Sequence, residues 1–425
     1  MKNRFPKKKI GFIGLGKLGL PVALAIESKG YSVMGFDINP NVAEYIKTRK
    51  IPYREEGLPA LLKKTKIKLG SVEEVIKFAD MLFMPIQTPH HEKFEGTTRL
   101  PKERADFEYS FLVAGIKNVA ETAERLKKDV IVVIISTVLP GTIEREIKPH
   151  LNKYIHLVYE PLFIAMGTTV QDFLNPEFVL IGVDEKPAAR ALKNFYKIIH
   201  DGLTYETTIK SAELIKVAYN TYIGMKLVFA NTIMEICHNV GADADSVTNA
   251  IGLAKHRLMS PRYLAGGMGD GGGCHPRDNI AMSWLANKLK LSHNIFNDLM
   301  MAREHQTEWL ANLISAEREK NNLPIVVLGK SFKAGTNLTV GSPATLLVNI
   351  LRERGLEHTH HDPHIDDKPL KLKPALYFLA TKHDAFDKYR FPKGSVVIDP
   401  FRYCKNQPGV KVMRIGESKP SPTKK

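Results

Sequence analysis

Gly14, Gly16 and Gly19 stand in the spacing GxGxxG, directly after the apolar run KIGFI and at the start of a helical stretch. In that setting the first glycine gives a tight turn and the second lets the backbone approach a pyrophosphate. The third lets the helix pack closely on its strand. The helix N-terminus then offers unpaired N–H groups and a positive dipole end to the phosphates, and Leu18, inside the same loop, is grouped with these cofactor contacts. Asp37 closes the second apolar run, SVMGFD, at roughly the 20-residue distance such a site needs. A carboxylate there accepts hydrogen bonds from ribose hydroxyls and repels a 2′-phosphate, which favours NAD over NADP. An Asp that merely caps a turn is the weaker reading, given the glycines upstream.

A second concentration of glycine, GMGDGGGCHPRD, places Gly269, Gly271, Gly272 and Gly273 just before Cys274. Glycine at that density is entropically expensive in ordered structure, so close backbone approach or unusual dihedrals are required there. Free N–H groups around an exposed thiol stabilise its thiolate and make it a nucleophile; Asp278, four residues on, is placed to orient a water or the thiol. A flexible loop with an incidental cysteine explains the pattern about as well. Lys216 and Asn220, four apart on a predicted helix, share one face. An ammonium and a carboxamide together suit a developing oxyanion, but a solvated Lys216 paired with Glu213 is the plainer alternative.

These groups need elements to hold them. Apolar runs at 9–14, 32–37, 81–86, 130–135, 155–159 and 178–183 read as strands alternating with helices, hence a parallel sheet covered on both faces. A long helix follows over about 209–239. Further helices are expected at about 243–252 and 278–318, and a second, smaller α/β unit from 324 onward. The division expected is an NAD domain over 1–205, a central helical region over 206–318, a nucleotide-sugar α/β domain over 319–415 and a disordered tail over 416–425. The chain has 425 residues, 44% of them hydrophobic and 25% charged, enough to build several cores. Its net charge of +16 suits small anionic ligands, since no nucleic-acid motif or aromatic-interleaved basic stripe accompanies it. Three cysteines fit a reducing compartment and no disulfide framework. No Cys/His spacing suggests a metal, and no apolar run suffices for a membrane span. A cytoplasmic protein is expected.

The ordered segments GFIGLGKLGLPVA, QTP at 87–89, STV at 136–138 and AELIKVAYNTYIGMKLVFANTIMEI resemble the UDP-glucose/GDP-mannose dehydrogenase family, as do GMGDGGGCHPRD, GKSFKAGTN, GSPA at 341–344 and HDP at 361–363. The resemblance covers nearly the whole chain. It implies an NAD-dependent enzyme, a homodimer, that oxidises a nucleotide-sugar hexose alcohol to the acid through an adduct on Cys274. Lys216, Asn220 and Asp278 match its catalytic partners, Thr137 a water-positioning Thr and Thr88 a cofactor-contacting one. Tyr263, Leu264, Gly269 and Gly271 match the loop that holds the sugar and diphosphate. Phe332 and Lys333 match the nucleotide-binding FK pair, and Arg257, with a one-residue gap, an Arg that reaches a neighbouring subunit's substrate.

The chain also departs from the pattern. Leu162 stands where the family has the Glu of a PEF-type segment, Met166 at a second acidic position, Val340 at an Arg and Arg277 at a Lys. Two-residue alternation would put Glu160 on the same face as Leu162, as a partial replacement; a strand-end surface carboxylate is the other reading. UDP-glucose is favoured as the commonest family substrate, with GDP-mannose or a UDP-N-acetylhexosamine as alternatives. A β-hydroxyacid dehydrogenase and a catalytically weakened sugar-binding protein are the rival functions.

Overall fold

The computed structural model describes residues 9–89, 105–258, 260, 266–270 and 275–417. The chain divides into two compact units, Met1–Gly224 and Met225–Lys425, with the boundary inside the long helix Ile209–Val240.

In the first unit, eight strands form one sheet: β1 (Lys9–Ile13), β2 (Ser32–Phe36), β3 (Lys68–Leu69), β4 (Met81–Met84), β5 (Val130–Ile134), β6 (Ile155–Tyr159), β7 (Phe178–Val183) and β8 (Leu203–Thr207). Their order is β3-β2-β1-β4-β5-β6-β7-β8, so the chain reverses direction across the sheet between β1 and β4. Ligands of such sheets bind at that reversal, outside the strand C-termini. Alternate residues of β1, β4 and β5 feed two cores. Ile10, Phe12, Phe83 and Val133 pack on one side with the helices Gly19–Ser28 and Lys186–Ile199. Ile13, Leu82, Met84 and Val132 pack on the other with Val72–Phe78 and Ser110–Leu126. Burial on both faces is why these strands read as unbroken apolar runs.

Two details differ from expectation. The pair β6 and β7 is antiparallel in an otherwise parallel sheet. Its connection carries only the six-residue helix Thr169–Leu174, which is committed to packing on Gly19–Ser28. The strands β3 and β8 lie at the two edges and are exposed or nearly so, so neither carries an apolar signature.

The second unit holds the helices Ala244–Gly252, His275–Leu289 and Ile295–Asn321 and a smaller parallel sheet. The helix expected over 278–318 is broken in two. Lys290 takes a left-handed φ of 54°, and Asn294 starts the next helix by accepting the N–H of Asn297. The strands β9 (Ile325–Leu328), β10 (His358–His361), β11 (Leu376–Leu379), β12 (Val396–Asp399) and β13 (Lys411–Arg414) run in the order β10-β9-β11-β12-β13. Among the described residues no helix is long and apolar enough to cross a membrane.

Phe83 is fully buried, stacked 5.4 Å from Phe12 and tilted against Phe195 at 5.5 Å. Phe83→Ala should cost about 3–5 kcal/mol, the usual range for emptying an aromatic site in a core, read as a lowered urea midpoint. A midpoint equal to that of the unmodified protein would contradict the placement of this core.

Candidate active site

The loop after β1 is built for a close ligand. Gly14 has φ +107°, open to glycine but strained for other residues, and its N–H binds the carbonyl of Phe36 at 2.8 Å. A Cβ on Gly19 would lie 2.4 Å from the Gly14 carbonyl oxygen, so the helix could not sit this close to the loop with any other residue. A Cβ on Gly16, by contrast, would meet nothing within 4 Å; that side is open. No side chain caps the helix Gly19–Ser28 and no acidic residue occupies its first turn, which leaves its N–H groups and dipole available to an anion. Asp37 stands at the end of β2. Its carboxylate accepts the N–H of Leu15 at 2.5 Å and of Asn39 at 2.7 Å.

Gly14, Gly16, Leu18 and Asp37 line one end of a cavity of about 990 Å³, and Thr88, Thr137, Lys216 and Asn220 line the rest with the apolar Leu162, Ile164 and Met166. The loops after β4 and β5 are tied together there: Thr88 donates to the Thr137 carbonyl at 2.7 Å, and Ser136 donates to the carbonyl of Ile86. These residues fit NAD, with an open glycine turn for its pyrophosphate and a fixed carboxylate for its adenosine ribose.

Lys216 is 7% exposed, not solvated. Its Nζ lies 4.9 Å from the centre of the Phe163 ring and 3.5 Å from Asn220 Oδ1, and burial lowers its pKa. The Lys216–Glu213 pair considered from the sequence does not form. Glu213 is itself buried and accepts the N–H of Gly141 at 2.5 Å and of Ile143 at 2.7 Å. It thereby fastens the long helix to the loop that carries Thr137. Helical spacing alone gave no sign of this role, although Glu213 lies inside the AELIK segment.

Glu160 is not a surface carboxylate, and it does not line the large cavity that Leu162 lines. It is 1% exposed, with Oε1 accepting the Tyr196 hydroxyl at 2.7 Å, and it is absent from the described lining of the cavity. The chain leaves β6 at Tyr159, so two-residue alternation no longer applies past that point.

The remaining candidates lie in the second unit. Gly269 packs on Arg303, which pairs with Asp270 at 2.7 Å. Arg257 is exposed after the helix Ala244–Gly252. Phe332 and Lys333 sit in the loop after β9, and this second sheet reverses its order between β9 and β11. Cys274, Gly271, Tyr263 and Leu264 lie outside the described residues, as does the side chain of Asp278.

Comparison with known proteins follows the same outline. The NAD-binding domain of the UDP-glucose/GDP-mannose dehydrogenase family matches residues 8–200, and the central domain of that family matches residues 210–305. The UDP-glucose 6-dehydrogenase of Rickettsia typhi is 26% identical over 385 residues, 87% of this chain and 85% of its own. The GDP-mannose 6-dehydrogenase of Pseudomonas aeruginosa is 26% identical over 373 residues, 84% of this chain and 82% of its own. A crystal structure of a ternary complex of GDP-mannose dehydrogenase from Pseudomonas aeruginosa superposes with a TM-score of 0.85, covering 95% of this chain and 99% of that one at 22% identity.

We predict that the Asp37 carboxylate sets the cofactor preference. The unmodified protein should use NAD and scarcely NADP, and Asp37→Ala should weaken NAD by roughly 10- to 100-fold, the loss of charged hydrogen bonds, while narrowing the gap to NADP. Equal use of both cofactors by the unmodified protein would remove Asp37 from the ribose.

Proposed function

Since the chain belongs to the UDP-glucose/GDP-mannose dehydrogenase family, we propose that it oxidises the primary alcohol of a nucleotide-bound hexose, UDP-glucose first, to the carboxylate through a covalent adduct on Cys274. The observation that carries this reading is the shared cavity. Lys216, Asn220 and Thr137 face the same space as the glycine turn and Asp37, so an oxyanion-stabilising group stands beside the cofactor cradle.

Bound NAD supplies the hydride acceptor. Removal of a proton and a hydride from the alcohol gives the aldehyde. The Cys274 thiolate adds to the aldehyde carbon and leaves an oxyanion, which the Lys216 ammonium and the Asn220 carboxamide stabilise. Loss of a second hydride from that carbon, taken up by a second NAD bound in place of the first NADH, gives a thioester. Water, positioned by Thr137 and Asp278, hydrolyses it, returning the thiol and releasing the acid. Covalent capture lets one site carry out both oxidations without releasing the aldehyde. Gly269, Gly271, Tyr263 and Leu264 hold the sugar diphosphate, and Phe332 and Lys333 hold the nucleotide. Arg257 serves a neighbouring subunit's substrate.

The enzyme works as a cytoplasmic homodimer of three-part chains, divided at 1–205, 206–318 and 319–415. The dimer is supported by apolar side chains exposed along the long helix, among them Leu214, Tyr222, Met225 and Val228. GDP-mannose is the second reading, favoured by the equal identity of the two named relatives. The apolar wall of Leu162, Ile164 and Met166 favours, as a third, a protein that binds nucleotide sugar and turns it over poorly.

NADH released per sugar separates the readings across UDP-glucose, GDP-mannose and UDP-N-acetylhexosamines: two for the proposed enzyme, one for a simple alcohol dehydrogenase, none for a binding protein. Cys274→Ser should abolish turnover and leave NAD binding unchanged. Turnover at the unmodified rate in that variant would rule out the covalent route.

A further inference from the structure

Leu162 and Ile164 line the cofactor cavity on one side and a second cavity, of about 20 Å³, on the other. Glu160, Asp172, Tyr196 and His200 also line the small cavity, and its remaining walls are apolar side chains and prolines. A space of this size admits one water molecule.

The polar atoms around it are incompletely paired. Glu160 Oε1 accepts the Tyr196 hydroxyl, but Oε2 is buried without a partner. His200 Nδ1 accepts the N–H of Gly202 at 3.0 Å, so the neutral ring carries its proton on Nε2, which is also buried without a partner. Asp172 is satisfied: its Oδ2 accepts the N–H of Ala165 and the Thr168 hydroxyl, both at 2.9 Å. On the outer side of His200, Asp201 and Lys29 act on the ring in opposite directions, and burial keeps it neutral. Left dry, both unpaired atoms are costly. The oxygen of one water, accepting from His200 Nε2–H and from a protonated Oε2, satisfies both.

We propose that Glu160 is a positioning residue: as a neutral carboxylic acid sharing a buried water with His200, it holds Leu162 and Ile164 in place as the wall of the NAD cavity, and the wall loosens when the acid ionises. Burial raises the Glu160 pKa to about 8, and the Tyr196 hydrogen bond only partly opposes the shift. Ionisation puts an unpaired charge behind the wall, where the only described charged neighbour on the small cavity is another carboxylate, Asp172. The inference rests on NAD binding and is independent of which sugar is oxidised.

The sign of the stability effect follows from the raised pKa. Between the ordinary carboxyl pKa and about 8 the folded protein holds a proton that the unfolded chain has lost. Folded stability therefore falls as pH rises through that window and is level above it.

The test is calorimetric titration of NAD, without sugar, into the full chain at about pH 6.5 and about pH 9, either side of the expected ionisation. The unmodified protein should bind about fivefold or more weakly at the higher pH, the lower end of ordinary coupling between sites. Glu160→Gln keeps an acceptor for Tyr196 and cannot ionise, so it should bind with the low-pH affinity at both. Its stability should also lack the pH-dependent decline of the unmodified protein. Tyr196→Phe removes the hydrogen bond that favours the charged form, and should move the inflection in NAD affinity to higher pH. Parallel weakening in Glu160→Gln, which would trace the effect to another group such as Lys216, overturns the proposal. So does an unmoved inflection in Tyr196→Phe, or weak NAD binding by Glu160→Gln at both pH values.

Discussion

A buried carboxylate must be neutralised or fully hydrogen-bonded, and Glu213 is bonded by the backbone. Its two oxygens take the N–H groups of Gly141 and Ile143, at the point where the chain turns after β5. The desolvation that raises its pKa is opposed by these same two bonds. Because Glu213 belongs to the helix Ile209–Val240, the clamp fixes that helix against the loop that follows Thr137. Lys216 lies one helical turn further along and Asn220 one turn beyond that, so both reach the cavity from a fixed direction. Were Glu213 to pair with Lys216 instead, the ammonium would be drawn away from the cavity and the two amides would be left unpaired.

The cavity that results is unusual in its titratable groups. Among its described lining residues the only side chains of an ionisable type are Lys17, Asp37 and Lys216, and Asp37 is held by two amides. The stretch 162–166 contributes Leu162, Ile164 and Met166 to the lining, and the family resemblance would place carboxylates at the first and last of these. Of the three ionisable side chains, only Lys216 is buried. Burial shifts it toward its neutral form, while the Phe163 ring and the Asn220 carbonyl favour the ammonium. A lysine balanced in this way can stabilise an oxyanion in one step and accept a proton in another.

Much of this was legible in the residues, and the exceptions share a cause. The glycine turn, Asp37 and the six inner strands follow from local requirements: backbone approach, or burial on both faces. The edge strands β3 and β8 and the polar β10 carry no such signal, because an edge or half-exposed strand is held by its neighbour's hydrogen bonds more than by its own side chains. The break between His275–Leu289 and Ile295–Asn321 rests on one left-handed lysine and one asparagine cap, both easily overlooked in a helical pattern. Glu213 and Glu160 were misplaced because spacing on one element says which residues are near each other, not which unpaired group elsewhere competes for them. In both cases a tertiary partner won, two amides for Glu213 and the Tyr196 hydroxyl for Glu160.

The same use of acidic residues recurs in the second unit. Asp362 is fully buried after β10; burial pushes its pKa up, but the N–H groups of Lys330, His364 and Ser331 more than offset this and hold it at about 2. His383 adds a fourth bond at 3.1 Å. The loop that carries Phe332 and Lys333 is therefore fixed at its root by a carboxylate gripping main-chain amides, whatever side chains the loop presents further on. Glu55, at the N–H groups of Gly167 and Thr169, and Asp399, at those of Phe401, Arg402 and Cys404, follow the rule. An anchor held mostly by backbone amides is little affected by substitution around it. Leu162 and Met166 can thus replace charged residues in the cavity wall while the frame that positions Lys216, Thr137 and the glycine turn stays intact. With these acids turned inward, the protein's excess of 61 basic over 45 acidic residues is felt mainly at the surface, as a field that attracts a diphosphate and a dinucleotide alike.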